Sequence, residues 1–248
     1  MTHPGILRGR GCRAGLAGRG DGVRRGTRRR RRGVGPGSIT LEEIRETRPT
    51  SAAAREFGAA LAATHDARAT AFGAPPDGWT GPSFIGERPL STRPKDTRGA
   101  FYAAQRVAPY AAVAREAGSV SESEHDVILR ACALIEDGAF DDGDVPSRLH
   151  GDLWNGNVLF AASGVILIDP AAHGGHRETD LAMLALFGCP YLDDVLAGYD
   201  AAHPLRNGWR DRVPLHQLHP LAVHAAGHGR SYGVALARAA EETLALGS

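Results

Sequence analysis

The stretch Leu149-His-Gly-Asp-Leu-Trp-Asn-Gly-Asn-Val-Leu-Phe160, followed by Gly164-Val-Ile-Leu-Ile-Asp-Pro170, decides the reading of this chain. "NVLF" and "VILI" are short apolar runs rich in β-branched residues, and the "AASG" between them has turn composition. That pattern predicts an antiparallel hairpin. The expected pairing sets Val158 opposite Ile168 and Leu159 opposite Leu167. Asn157, just before the first strand, then comes beside Asp169, just after the second, and Asp152 lies in the loop leading in. Three oxygen-bearing side chains are thus expected to converge at one end of a hairpin.

A hard divalent cation takes oxygen ligands, and Mg²⁺ draws only one or two from protein while phosphates and water supply the rest. Asn157 and Asp169 suit that role. Asp152, near the metal but off it, is placed to accept the proton of a hydroxyl attacking a γ-phosphate. The Asp-x4-Asn…Asp layout matches the catalytic loop and metal aspartate of the kinase fold. Singly, each residue has a bland explanation: Asp152 and Asn157 as turn residues, Asp169 as a strand-end cap. Their joint spacing, flanked by "HGD" and "IDP", points to chemistry.

Outward from this centre the periodicity is mostly helical. "SITLEEI" at 38–44 reads as a short strand leaving a Gly/Pro-rich turn. A cap at Thr50 or Ser51 opens a helix with Ala54, Phe57, Leu61 and Thr64–His65 on one face. A Gly/Pro-rich loop covers 73–94. "AFYAAQRVAPYAAVAREAG" is helical with a kink or break expected at Pro109. "SESEHDVILRACALIEDGAF" enters through its Ser and Glu residues and closes near Gly138. "RETDLAMLALFG", "DDVLAGYDAA" and "RVPLHQLHPLAVHAAGHG" complete a mostly helical body.

Composition sets outer limits. A chain of 248 residues can bury a substantial core. No apolar run approaches the ~20 residues a bilayer span needs. Cys12, Cys132 and Cys189 form no CxxC pair, which favours a reducing, cytoplasmic setting over a disulfide scaffold. The net charge of +1 hides an asymmetry: residues 1–32 carry eleven Arg and one Asp, leaving −9 on residues 33–248. The segment 1–32 is too poor in apolar residues to order itself by burial and is expected to be disordered. A phosphate- or nucleic-acid-binding arm, a solvated tail, and the product of a wrong start or a frameshift in a GC-rich gene all fit it. The acidic body and the lack of a recognised nucleic-acid motif weigh against a nucleic-acid partner. His216, His219, His224 and His228 have spacings that could serve zinc, but Pro220 interrupts the stretch and no Cys joins it.

"LHGDLWNGNVLF…GVILIDPAAHGGHRETDLAMLALFG" resembles the fructosamine kinase (ketosamine-3-kinase) family, a branch of the aminoglycoside-phosphotransferase-like kinases. "GWTGPSFIG", "FYAAQRVAPY" and "RVPLHQLHPLAVHAAGHGRSYG" extend the likeness over roughly 34–240. The resemblance implies an α+β, protein-kinase-like fold: a helical C-terminal lobe over 46–248, a small catalytic hairpin, and an N-terminal β lobe reduced to a strand and hinge at 33–45. It implies Asp152 as catalytic base, Asn157 and Asp169 as Mg²⁺ ligands, and His150 and Trp154 as loop-shaping residues. Glu42, Glu43 and Ile44 would form the hinge that meets adenine, and Glu178 and Asp180 would have a substrate or structural role. ATP and Mg²⁺ are the implied cofactors. A ketosamine or other glycated amine is the implied partner, with deglycation as the outcome.

The chain departs from that pattern at its start. Only 40 residues precede Leu41, and "CRAGLAGRGDGVRRGTRRRRR" shows no strand period. The sole lysine, Lys95, lies beyond the hinge, so no residue matches the nucleotide lysine of such kinases. Two alternatives therefore stand beside the leading one: a degenerate kinase lobe with little or no turnover, and a kinase of the same fold acting on an aminoglycoside or choline.

Overall fold

The computed structural model describes the backbone of residues 27–28, 31–35 and 38–247, and side chains from Leu41 to Gly247. Of the expected disordered segment 1–32, residues 1–26 and 29–30 lie outside the described residues. Thr27–Arg28 (β1) and Arg31–Gly35 (β2) are strands despite their lack of alternation. Main-chain pairing explains this, since β1 adds parallel to a hairpin strand and β2 pairs antiparallel with Ser38–Leu41 (β3). Backbone hydrogen bonds need no side-chain period.

The first helix starts where its cap predicts. Thr50 Oγ1 accepts from Ala53 N at 3.2 Å and opens α1, Ser51–Asp66. Its predicted face, Ala54, Phe57, Leu61 and His65, is buried. The partner is α6, Leu192–Ala202. The two backbones touch through glycines: a Cβ on Gly58 would stand 1.9 Å from Val195 O, and one on Gly198 2.0 Å from Arg55 O. In chain order α1 is followed by the short hairpin Ser83–Ile85 (β4) and Arg88–Leu90 (β5), then by a continuous helical stretch. It runs as α2 (Arg98–Phe101), a π-helical segment (Tyr102–Val107) and α3 (Ala108–Glu116). Pro109 does not break it. It sits in the first turn of α3, after the wide π turns, where a missing N–H leaves little unsatisfied.

Helix α4, Glu122–Glu136, opens on a reciprocal capping box between Ser121 and Glu124. The predicted hairpin is β7 (Val158–Ala161) and β8 (Gly164–Leu167). Its register differs by one residue from expectation: Val158 pairs with Leu167 and Leu159 with Ile166. Ala161 pairs with Gly164, so the turn holds two residues rather than the whole "AASG". A further strand pair escaped the periodicity because each member is three residues long: β6 (Ser147–Leu149) with β9 (His173–Gly175). Helices α5 (Glu178–Phe187), α7 (Val213–His228) and α8 (Arg230–Leu246) complete the chain.

Two cores result. One gathers α1, α6, the hairpin and Leu153; the other gathers α2 to α4, α7 and α8. Leu153 of the β6–β7 loop packs in the first core, and Ala171 of the segment from β8 to β9 packs in the second.

Candidate active site

The β6–β7 loop is held from below by one carboxylate. Asp180, on the first turn of α5, accepts from His150 N at 2.7 Å and Gly151 N at 3.0 Å. Gly151 has φ +80°, and a Cβ there would stand 2.3 Å from Ala171 O, so only glycine fits this turn. Asp180 also accepts from His65 Nε2 at 3.2 Å. His65 Nδ1 in turn accepts from the Tyr199 hydroxyl at 2.7 Å, and Arg177 Nη1 donates to that hydroxyl at 3.1 Å. Burial would raise the Asp180 carboxyl, but its bonds and the neighbouring imidazoles hold it below the usual range. The chain Arg177–Tyr199–His65–Asp180 thus ties α5, α6 and α1 to the loop.

His150 locks the loop from the other side. Its Nε2–H donates to Ile168 O at 2.9 Å, and its Nδ1 accepts from Asp152 N at 3.3 Å. Burial lowers its pKa, which keeps the ring neutral and preserves both bonds. The ring therefore spans the gap between the loop bearing Asp152 and the strand end bearing Asp169.

Asp152 is half-buried. Asn157 Nδ2 donates to its carbonyl at 2.8 Å and to its Oδ2 at 3.3 Å. Burial raises the Asp152 carboxyl to about 6; the Asn157 bond opposes this, and the charges of Asp180 and Asp169 add to it. Asn157 is buried, and its amide nitrogen is committed to Asp152, which leaves Oδ1 as its free acceptor. Asp169 is exposed, with φ +47°, and makes no hydrogen bond or ion pair among the described residues. The changed hairpin register places Asn157 opposite Ile168, whose N donates to Asn157 O at 3.1 Å, with Asp169 one residue further out. The three predicted residues still share one end of the hairpin. Their donor set, a carboxylate, a carboxamide oxygen and an adjacent carboxyl, fits a hard divalent cation.

Trp154 stands 41% exposed, its ring against Gly156 and edge-on to Phe187 at 6.5 Å. Glu42, Glu43 and Ile44 lie between β3 and α1. The chain just after them lies along β7, Glu46 bridging Ala161 and Thr47 N donating to Phe160 O at 2.8 Å. That register carries 42–44 past the turn end of the hairpin, opposite the end where Asn157 and Asp169 meet.

Glu178 is buried under Arg212, which donates Nε at 2.9 Å and Nη2 at 2.6 Å to its two oxygens. Burial would raise this carboxyl; His216 and Arg212 outweigh it and hold it at about 2. His176, Glu178 and His216 bring ligand-type atoms within 4.8 Å of one another. Arg212 already occupies Glu178, and His176 Nε2 lies 3.2 Å from Asp142, so the cluster is closed as an ion-pair network. His216 Nε2 lies 3.3 Å from Glu178 Oε2 without hydrogen-bond alignment. The sequence assigned no role to the loop anchors His65, Arg177 and Tyr199, although Arg177 lies within the quoted "GGHRETDLA" stretch. The signal available for one of them was a histidine, His65, on the apolar face of α1.

The fructosamine kinase family model matches residues 38–245. A probable ketoamine kinase of Enterococcus faecium is 32% identical over 180 residues, 72% of this chain and 63% of the relative. One from Lactiplantibacillus plantarum is 36% identical over 185 residues, 73% of this chain and 63% of the relative. The chain thus spans less than two thirds of the length of these two relatives. The crystal structure of a protein assigned as a fructosamine-3-kinase from Thermobifida fusca superposes with a TM-score of 0.78 at 45% identity. That match covers 84% of this chain and 70% of the neighbour.

Proposed function

Because this chain belongs to the fructosamine kinase family, we propose that it transfers the γ-phosphoryl group of ATP to a hydroxyl of a ketosamine. The observation that carries this reading is the pinned, burial-raised carboxyl of Asp152 beside Asn157 and Asp169. In this reading Asp152 Oδ2 is steered by Asn157, and Oδ1 faces the acceptor hydroxyl. As that oxygen bonds to phosphorus, its proton passes to Asp152 and the bond to ADP breaks. Asn157 Oδ1 and the Asp169 carboxylate would hold Mg²⁺, which when bound neutralises phosphate charge. Asp180, through His150 N and Gly151 N, keeps the loop in place while the proton moves. Phosphorylation of the sugar destabilises the glycation adduct, which makes deglycation the outcome.

One observation favours a second reading, a kinase lobe that binds nucleotide weakly and turns over little. The only lysine, Lys95, follows the hinge, where its backbone N bonds Phe72 O. In the given sequence Lys95 does not match the phosphate-pairing lysine that such sites use. Calorimetric titration with Mg-ATP, repeated without Mg²⁺, separates the two. Metal-dependent binding at micromolar levels followed by ketosamine turnover supports the kinase; a folded chain that binds no nucleotide overturns it.

A further inference from the structure

The second half of α7 carries two imidazoles that the phosphoryl-transfer reading leaves unused. His224 and His228 stand four apart, the spacing that puts two side chains on one helical face. Pro220 does not disturb this spacing, because α7 continues through it to His228. The ring centroids are 5.1 Å apart, with planes inclined at 30°.

The two rings are prepared differently. His224 Nδ1 lies 2.8 Å from Pro220 O, so Nδ1 carries the proton and Nε2 the lone pair. A backbone carbonyl on one ring nitrogen is the usual device that orients the other toward a metal. His228 is exposed and makes no hydrogen bond among the described residues. Tyr232 closes one side of the pair, its ring 5.1 Å from His224 and 6.1 Å from His228. Phe187 backs His224 at 4.5 Å. The neighbouring cations are tied elsewhere: Arg88 Nη2 donates to Ala226 O, and Arg230 donates to Ser119 O and to Glu124.

We propose that His224 and His228 form a surface site for a divalent transition-metal ion that favours imidazole, such as Zn²⁺, Cu²⁺ or Ni²⁺. Two ring nitrogens come from one helical face, as in H-x-x-x-H zinc helices, and water or a bound ligand fills the remaining positions. The site is chemically separate from an all-oxygen Mg²⁺ site, because nitrogen ligands select the borderline metals over the hard ones.

The test is a calorimetric titration of the tag-free 248-residue chain with ZnCl₂, with Cu²⁺ followed by electron paramagnetic resonance. The expected result is one equivalent, Cu²⁺ tighter than Zn²⁺, and nitrogen hyperfine structure from two imidazoles. His228→Ala and His224→Gln should each weaken binding by about tenfold or more. His203→Ala should not, since that imidazole sits 3.1 Å from Asp66. Circular dichroism checks that each variant is folded, and His228 is exposed enough for its removal to leave the core intact. An equivalent that persists in the double variant, is lost with His3→Ala, or is displaced by millimolar Mg²⁺ overturns the proposal.

Discussion

Asp152 shows how a single carboxyl acquires a working pKa. Burial pushes it up to about 6 while Asn157 keeps one oxygen hydrogen-bonded. A base must be unprotonated, so kcat/KM should rise with pH through an acid limb near 6 in the free chain, measurable from pH 5 to 8. A limb near 4 would show that burial does not govern this group. Asp152→Asn removes the proton acceptor and keeps the shape. It should lower kcat by roughly 10²–10⁴ while Mg-ATP affinity stays nearly unchanged; equal losses in both would move Asp152 to a structural role. At this scale the sequence was legible. Asp152, Asn157 and Asp169 lie within eighteen consecutive residues, so local chain geometry alone brings them together.

At the scale of elements, α7 shows what periodicity misses. Pro220 signals a break, since it removes the N–H that would bond the carbonyl of His216. The Tyr102 hydroxyl takes that place, donating to His216 O at 3.0 Å while accepting from His219 N at 3.1 Å. One phenol from the π segment is thus inserted into the hydrogen-bond ladder of another helix. Tyr102→Phe should leave a buried carbonyl and a buried N–H unpaired and destabilise the chain by about 1–3 kcal/mol. A urea midpoint that falls with m unchanged is the expected result; an unmoved midpoint would mean the ladder repairs itself. The hairpin is the opposite case. Its existence was plain from "NVLF" and "VILI", but its register depended on whether the turn holds an even or an odd number of residues, which composition does not settle.

Across the whole molecule, burial of imidazoles sets the response to acid. Burial lowers the pKa of His150, His173, His216 and His219, the last two to about 3. Unfolded, each takes up a proton near 6.5, whereas folded it does not. Stability is therefore full above about pH 6.5 and is lost as pH falls below it, because the unfolded chain binds more protons. Glu178, held at about 2, and Asp180 add a second loss below about pH 4.5 as their ion pairs are protonated. The Tm should fall between pH 7 and 5 and more steeply below 4.5, followed by scanning calorimetry. A flat Tm down to pH 5 would show that these rings are charged when folded.

The sequence by itself determined the helical body, the hairpin, and the convergence of Asp152, Asn157 and Asp169, because those follow from period and from contacts short in sequence. Tertiary structure alone decided what secures them. The line from Arg177 through Tyr199 and His65 to Asp180 joins three helices whose residues lie far apart in the chain. No spacing announces such a line, since its members meet only once α1, α5 and α6 have packed and left one buried carboxylate to satisfy the donors of the loop.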